Sequence, residues 1–203
     1  MMSSLKSKQG YNLPDGTKVL VPVAGFPTTL NPIIQKNFTP IFVDIELETL
    51  NLDLDDVERT LEEHPDIRVI TFAHVLGNPP NMNRVMELVN KYDLIFLEDC
   101  CDALGSSYGG QLLGSFGDMA SCSFYPAHHI TMGKGGFVVC GDRETENILR
   151  SFREWGRACF IKGTPINVNE SIKNIEDIKI GDLVVSHTGK VRKVEELFVN
   201  DFK

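Results

Sequence analysis

Nowhere in the 203 residues does an apolar run approach the length of a membrane span, and the opening "MMSSLKSKQGYNLPDG" holds no apolar core of signal-peptide length. The expected compartment is therefore the cytoplasm, with no membrane contact. Clustered lysine and arginine are also missing. Twenty basic residues stand against 28 acidic ones, for a net charge of −8 and a pI near 5.1. A surface for a phosphate backbone needs basic residues gathered on one face, so no nucleic-acid partner is expected. The cysteines do not form an even set: five, at 100, 101, 122, 140 and 159, are scattered along the chain. Without a secretion signal, this argues against a disulfide framework and leaves metal binding or nucleophilic chemistry open. Cys122 and Cys140 each stand inside an apolar strand-like run and are expected to be small buried residues.

An apolar content of 42%, punctuated by 17 glycines and 10 prolines, is that of a globular protein. Its charge is unevenly placed. Residues 159–203 carry seven basic and seven acidic residues, so the whole deficit of eight lies in residues 1–158. The pattern changes at the same point. Before it, short β-branched runs such as "KVLVPV" (18–23), "IFVD" (41–44), "VITFA" (69–73) and "LIFLED" (94–99) alternate with helical periods at 28–37, 54–64 and 81–92. That βαβ rhythm predicts an α/β fold with a mainly parallel sheet and helices on both faces. Two more strands, "SCSFY" (121–125) and "GFVVCG" (136–141), precede a helix at about 142–155. Beyond 159 no helical period is left, and Ile and Val pairs broken by "NESIKN", "IGD" and "HTGK" predict a small all-β structure. The expected domains are 1–158 and 159–203.

Polar residues at the carboxyl ends of parallel strands face the crevice where ligands bind. "LIFLEDCCDALGSSYGG" sets Glu98 and Asp99 at such an end. A carboxylate there either caps the next helix or pairs with the protonated ring nitrogen of a pyridoxal-type cofactor. In "SFYPAHHITMGKGG" (123–136), two histidines follow a strand end and precede a glycine-rich turn, a setting that suits proton transfer.

Taken together, "AGFPTTLNP", "EDCCDALGSSY" and "SFYPAHHITMGKGG" resemble the DegT/DnrJ/StrS sugar aminotransferase family, through most of residues 18–158. Within it they look closest to the CDP-4-keto-6-deoxyglucose 3-dehydrase branch. The resemblance implies part of the large aspartate-aminotransferase-like domain of pyridoxal-phosphate enzymes. It implies that Asp99 pairs with the pyridine nitrogen, Phe26 covers the cofactor face, Ser123 contacts the phosphate, and Asp102 also belongs to the cofactor site. His128 falls where ordinary family aminotransferases carry the Schiff-base lysine. An imidazole cannot hold pyridoxal phosphate covalently but can move protons near neutral pH. The implied enzyme is therefore a lyase using pyridoxamine phosphate, with His128 as base and His129 as the neighbouring alternative. Its substrate would be a nucleotide-linked 4-keto-6-deoxy sugar, deoxygenated at C3 in deoxysugar and polysaccharide biosynthesis. Lys134 departs from the family, which usually has Glu between these glycines; six residues past the lysine position, it is not assigned that role. The same branch carries an iron-sulfur cluster, here expected as [2Fe-2S], served by a reductase, and its members tend to form homodimers. Cys101 matches the first cluster ligand, and Cys159 follows after the family's 57 intervening residues. The two cysteines expected soon after it are absent, with Phe160 and Ile161 in the next places.

From Cys159 the chain resembles something else. An initial Cys, "GTPI" and "IEDIKIGDLVVSHTGK" are similar to the N-terminal splicing block of an intein, a Hint-type β domain. There Cys159 would attack the carbonyl of Ala158 and convert the Ala158–Cys159 bond to a thioester. The family's Thr-x-x-His block would lie beyond Lys203, since His187 has Val184 three residues before it. Splicing would then need a C-terminal intein and extein portion, and the cluster ligand would be the cysteine that opens that extein. The start also falls after the Ser/Gly-rich phosphate cradle of the family, so a piece of the parent enzyme is expected. The rivals are an ordinary pyridoxal-phosphate sugar aminotransferase, the N-half of a split intein, and an inactive gene fragment.

Overall fold

The computed structural model describes residues 1–6, 11, 13–154, 164–168, 171–185 and 190–197. Ala158, Cys159 and His187 lie outside the described residues. The chain divides into two compact units, Met1–Arg153 and Glu154–Lys203.

The first unit opens with a short helix α1 (Met2–Leu5) and continues through β1 (Lys18–Pro22), α2 (Pro27–Gln35), β2 (Thr39–Val43), α3 (Leu54–Glu63), β3 (Ile67–Ala73), α4 (Met82–Lys91) and β4 (Ile95–Asp99). A small hairpin, β5 (Ser107–Tyr108) and β6 (Gln111–Leu112), precedes β7 (Met119–Ser123), β8 (Gly136–Cys140) and α5 (Arg143–Arg153). Six strands form one sheet in the order β2-β1-β3-β4-β7-β8. All neighbours are parallel except β7 and β8. The chain leaves β1 toward one edge and returns on its other side at β3, so strand order reverses there. Open α/β sheets form their ligand crevice outside the carboxyl ends at such a reversal.

Side chains alternate across the strands, and two cores result. Val19, Val21, Val69, Ile95, Leu97 and Met119 pack with Leu5 and Ile33 on one face. Leu20, Ile70, Phe72 and Phe96 pack on the other against Val57 and Leu61 of α3 and Val85 and Leu88 of α4. Phe72 and Phe96 stack with ring centroids 5.1 Å apart. Each such fully buried side chain contributes about 1.5–3 kcal/mol relative to exposure. The two covering helices start where the sequence can cap them: Asp53 accepts from the N–H groups of Asp55 and Asp56, and Asn81 from that of Arg84.

Two expectations need adjusting. The strand expected over 121–125 ends at Ser123, whose hydroxyl accepts the Tyr125 N–H at 3.1 Å and opens a loop instead. Cys140 is half-buried rather than buried, because β8 pairs with a neighbour on one side only and leaves Phe137, Val138 and Val139 exposed.

The second unit forms a four-stranded sheet in the order β10-β9-β11-β12, from β9 (Pro165–Val168), β10 (Ser171–Asn174), β11 (Leu183–Val185) and β12 (Val191–Lys193). Every pairing in it is antiparallel. A single 3-10 turn, Ile175–Asp177, is its only helical element among the described residues.

Candidate active site

Strand alternation separates the two carboxylates of β4. Glu98 follows Phe96 to the α3/α4 face, whereas Asp99 follows Leu97 to the other. Glu98 is fully buried. Its Oε1 accepts the N–H groups of Phe116 (2.8 Å) and Gly117 (2.7 Å), and its Oε2 accepts that of Gly114 (2.8 Å). Oε2 also lies 3.0 Å from Nε2 of His74, itself fully buried. Burial opposes the charge of Glu98, but donation by His74, Gly117 and Gly114 outweighs it and holds the carboxyl below the ordinary glutamate range. The turn at 114–117 wraps this carboxylate so tightly that a Cβ on Gly117 would stand 2.6 Å from the Phe96 carbonyl oxygen.

Cys100 stands beside this pair, and His74, Glu98 and Cys100 each place a donor atom within 4.8 Å of the others. That arrangement does not make a good metal site. All four acceptor positions of the carboxylate are used, so a cation would have to displace a hydrogen bond. The Cys100 thiol, moreover, is pushed up to about 12 by burial and by the charges of Glu98 and Asp99, and metal ligation needs the thiolate. The pair is an internal anchor. The His74 N–H donates to the Asp99 carbonyl at 3.1 Å, which ties the anchor to the next strand position.

Asp99 faces an open cleft of about 1760 Å³, room for a ligand larger than a single small molecule. Phe26, Asp99, Cys101, Asp102, Ser123 and His128 all line it. They come from the last residues of β4 and β7 and the loops after β1, β4 and β7, so residues up to 102 positions apart in sequence (26 to 128) converge on one rim. Phe26, the residue before α2, leaves its ring 73% exposed. The Asp99 Oδ1 accepts the Cys101 N–H at 3.0 Å, which orients the carboxylate. His128 Nδ1 lies 2.9 Å from Asp102 Oδ1, and the His128 backbone N–H donates to the Tyr125 carbonyl. The histidine pair is thus separated: His128 lines the cleft, while His129 is exposed and does not. Lys134 is likewise exposed and outside the lining.

Cys101 is the one expected cluster ligand among the described residues. Burial and its hydrogen bond to Asp99 raise its thiol well above the ordinary range. A cluster held by four thiolates is not assembled by the described residues. His74 was not legible as a site residue from its local sequence. The available signal was one of register: Phe72 pairs with Glu98, so a histidine two residues on points to the same face as the acid.

The strand order, the carboxylate at the end of β4 and the cleft above it define an α/β fold of the pyridoxal-phosphate-dependent aminotransferase type. A model of the DegT/DnrJ/EryC1/StrS aminotransferase family matches residues 1–175, and the chain belongs to that family. It is 48% identical over 148 residues to the lipopolysaccharide biosynthesis protein RfbH of Salmonella typhimurium, covering 73% of this chain and 33% of that protein. It is 40% identical over 206 residues to the dTDP-4-dehydro-2,6-dideoxy-D-glucose 3-dehydratase of Saccharopolyspora spinosa, covering 97% of this chain and 44% of that enzyme. Among solved structures, the E. coli GDP-4-keto-6-deoxy-D-mannose-3-dehydratase with bound hydrated PLP superposes with a TM-score of 0.71 at 31% identity, over 75% of this chain and 39% of that one. The chain thus spans less than half the length of these relatives.

Proposed function

We propose that residues 1–158 are part of a pyridoxamine-phosphate-dependent 3-dehydrase acting on a nucleotide-linked 4-keto-6-deoxy sugar, and that residues 159–203 open an intein. The observation that carries the first part is the imidazole of His128 on the same cleft as the Asp99 carboxylate. The residues present suit the cofactor. Asp99 offers a carboxylate, held at Oδ1 by the Cys101 N–H, to a protonated ring nitrogen. The exposed Phe26 ring offers an apolar surface for an aromatic face. Ser123 Oγ accepts from Tyr125, so its own hydrogen is left to donate to a phosphate oxygen. When bound, pyridoxamine phosphate supplies the amine that engages the keto group and the ring that serves as electron sink. His128 accepts the proton that this chemistry releases, at a ring nitrogen.

Enzymes named as sugar 3-dehydratases among the relatives support the same choice of reaction. The test uses the full-length spliced parent. Supplied with pyridoxamine phosphate, a reductant and a nucleotide-linked 4-keto-6-deoxy sugar, it should release the C3 hydroxyl as water. Supplied with pyridoxal phosphate and borohydride, it should yield no pyridoxyl-lysine peptide. A pyridoxyl-lysine together with amino-sugar product would establish an aminotransferase instead.

The intein assignment is supported by the tail sequence from Cys159 and by the separate antiparallel sheet of the second unit. The family match itself runs on to residue 175, past Cys159, so the decisive test is chemical. The Cys159 sulfur forms a bond to the Ala158 carbonyl carbon as the C–N bond breaks, and the freed amine takes the proton. With the later intein blocks supplied in a partner, dithiothreitol should release residues 1–158, and Cys159→Ala should abolish that release. Mass spectra showing no such product with the partner present would remove the intein.

A further inference from the structure

The structure assigns Asp102 a role distinct from holding a cofactor: it is the positioning residue that fixes the tautomer and orientation of His128. This inference rests on His128 as the proton acceptor of the proposed reaction. The geometry is direct. Asp102 sits in the loop after β4 and His128 in the loop after β7, and their Oδ1 and Nδ1 atoms are 2.9 Å apart across the cleft rim. β4 and β7 are adjacent parallel strands, so the two loops leave the same carboxyl end of the sheet side by side. A carboxylate at neutral pH has acceptor positions only. Nδ1 must therefore carry the hydrogen, and in a neutral ring the lone pair then lies on Nε2.

Two further contacts surround this pose, one of the backbone and one of the ring. The His128 backbone N–H donates to the Tyr125 carbonyl at 2.9 Å, closing a tight turn under the side chain. The Tyr125 ring meets the imidazole edge to face, with centroids 6.4 Å apart. His128 is consequently only 22% exposed at its side chain, although its neighbour His129 is exposed. The chemical consequence is specific. A proton taken from carbon at Nε2 breaks a C–H bond and forms an N–H bond, leaving the electron pair on the carbon. The imidazolium that results faces the Asp102 carboxylate through its other nitrogen, which offsets the new positive charge. Asp102 thereby sets which nitrogen receives the proton.

The experiment reads ring nitrogen-15 shifts in the 203-residue chain as it stands, at a pH where the ring is neutral. His128→Gln identifies the His128 signals by their loss. The expected result is a protonated Nδ1 and an unprotonated Nε2 for His128. Asp102→Asn should move the population toward the Nε2–H form, since an amide can donate to Nδ1, and Asp102→Glu should restore the Nδ1–H form. Asp102→Asn should leave the backbone amide spectrum elsewhere unchanged. An Nε2–H ring in the unaltered chain, or a tautomer indifferent to Asp102→Asn, would overturn the assignment. The outcome does not depend on turnover. An Nδ1–H ring in an enzyme that performs no dehydration would uphold the positioning role and remove the proposed reaction, and the reverse result would do the opposite.

Discussion

Glu98→Ala should destabilise the 1–153 unit by about 3 kcal/mol or more, since each buried donor left without its acceptor costs about 1–3 kcal/mol. The substitution strands three part-buried backbone N–H groups, those of Gly114, Phe116 and Gly117, together with the fully buried His74 ring nitrogen. With the stability of an ordinary domain at about 5–15 kcal/mol, that loss takes much of the reserve. Urea unfolding followed at the transition of this unit should show it as a fall in midpoint; an unfolding free energy within about 0.5 kcal/mol of the unaltered chain would refute the anchor. Acid should act on the same group. Because the folded carboxyl is held below its unfolded value, its contribution is present above the unfolded value and is lost as pH falls through the folded one. The unaltered chain should therefore lose stability over that acidic interval, and Glu98→Ala should have a flatter profile there. The effect reaches the site as well, since the His74 N–H holds the carbonyl of Asp99.

In the full-length form of the dehydrase proposed above, His128→Asn should lower dehydration by about 10²–10⁴-fold, the range general-base catalysis supplies. Cofactor retention should change little, because Asp99, Phe26 and Ser123 remain on the cleft. The measurement is single-turnover release of the C3 hydroxyl, alongside the absorbance of the bound cofactor. Turnover kept within a few-fold would move the base to another group. Loss of cofactor together with activity would show that His128 holds the site together rather than moving a proton. The substitution suits this purpose because asparagine retains hydrogen-bonding capacity toward Asp102 but has no side-chain nitrogen that takes a proton near neutral pH.

Much of the first unit is legible along the chain. "VITFA" and "LIFLED" are short β-branched runs, and residues 54–63 and 82–91 bury Leu54, Val57 and Leu61 or Met82, Val85, Leu88 and Val89 at helical spacing. That the Glu98–Asp99 pair lies at the crevice end of a strand is legible for the same reason, since polar residues that close a buried parallel strand stand at its carboxyl end. The small hairpin at 107–112 is not, because its two-residue strands are too short to show a period. Cys140 misleads because an apolar run looks the same whether its strand has one neighbour or two.

The carboxylates of β4 mark the division most clearly. The residues themselves settle that an acidic pair closes a strand, that histidines follow the strand at 119–123, and that an apolar chain of this rhythm winds into an α/β sheet. Those properties are local: they depend on alternation and propensity over a few neighbours. Only the tertiary structure decides that Glu98 turns inward to His74 while Asp99 turns outward, that His128 and not His129 enters the cleft, and that Asp102 meets it from 26 residues away. Each is a contact between different strands or their loops, set by the pairing of β3, β4 and β7, and no spacing along a single stretch of chain encodes it.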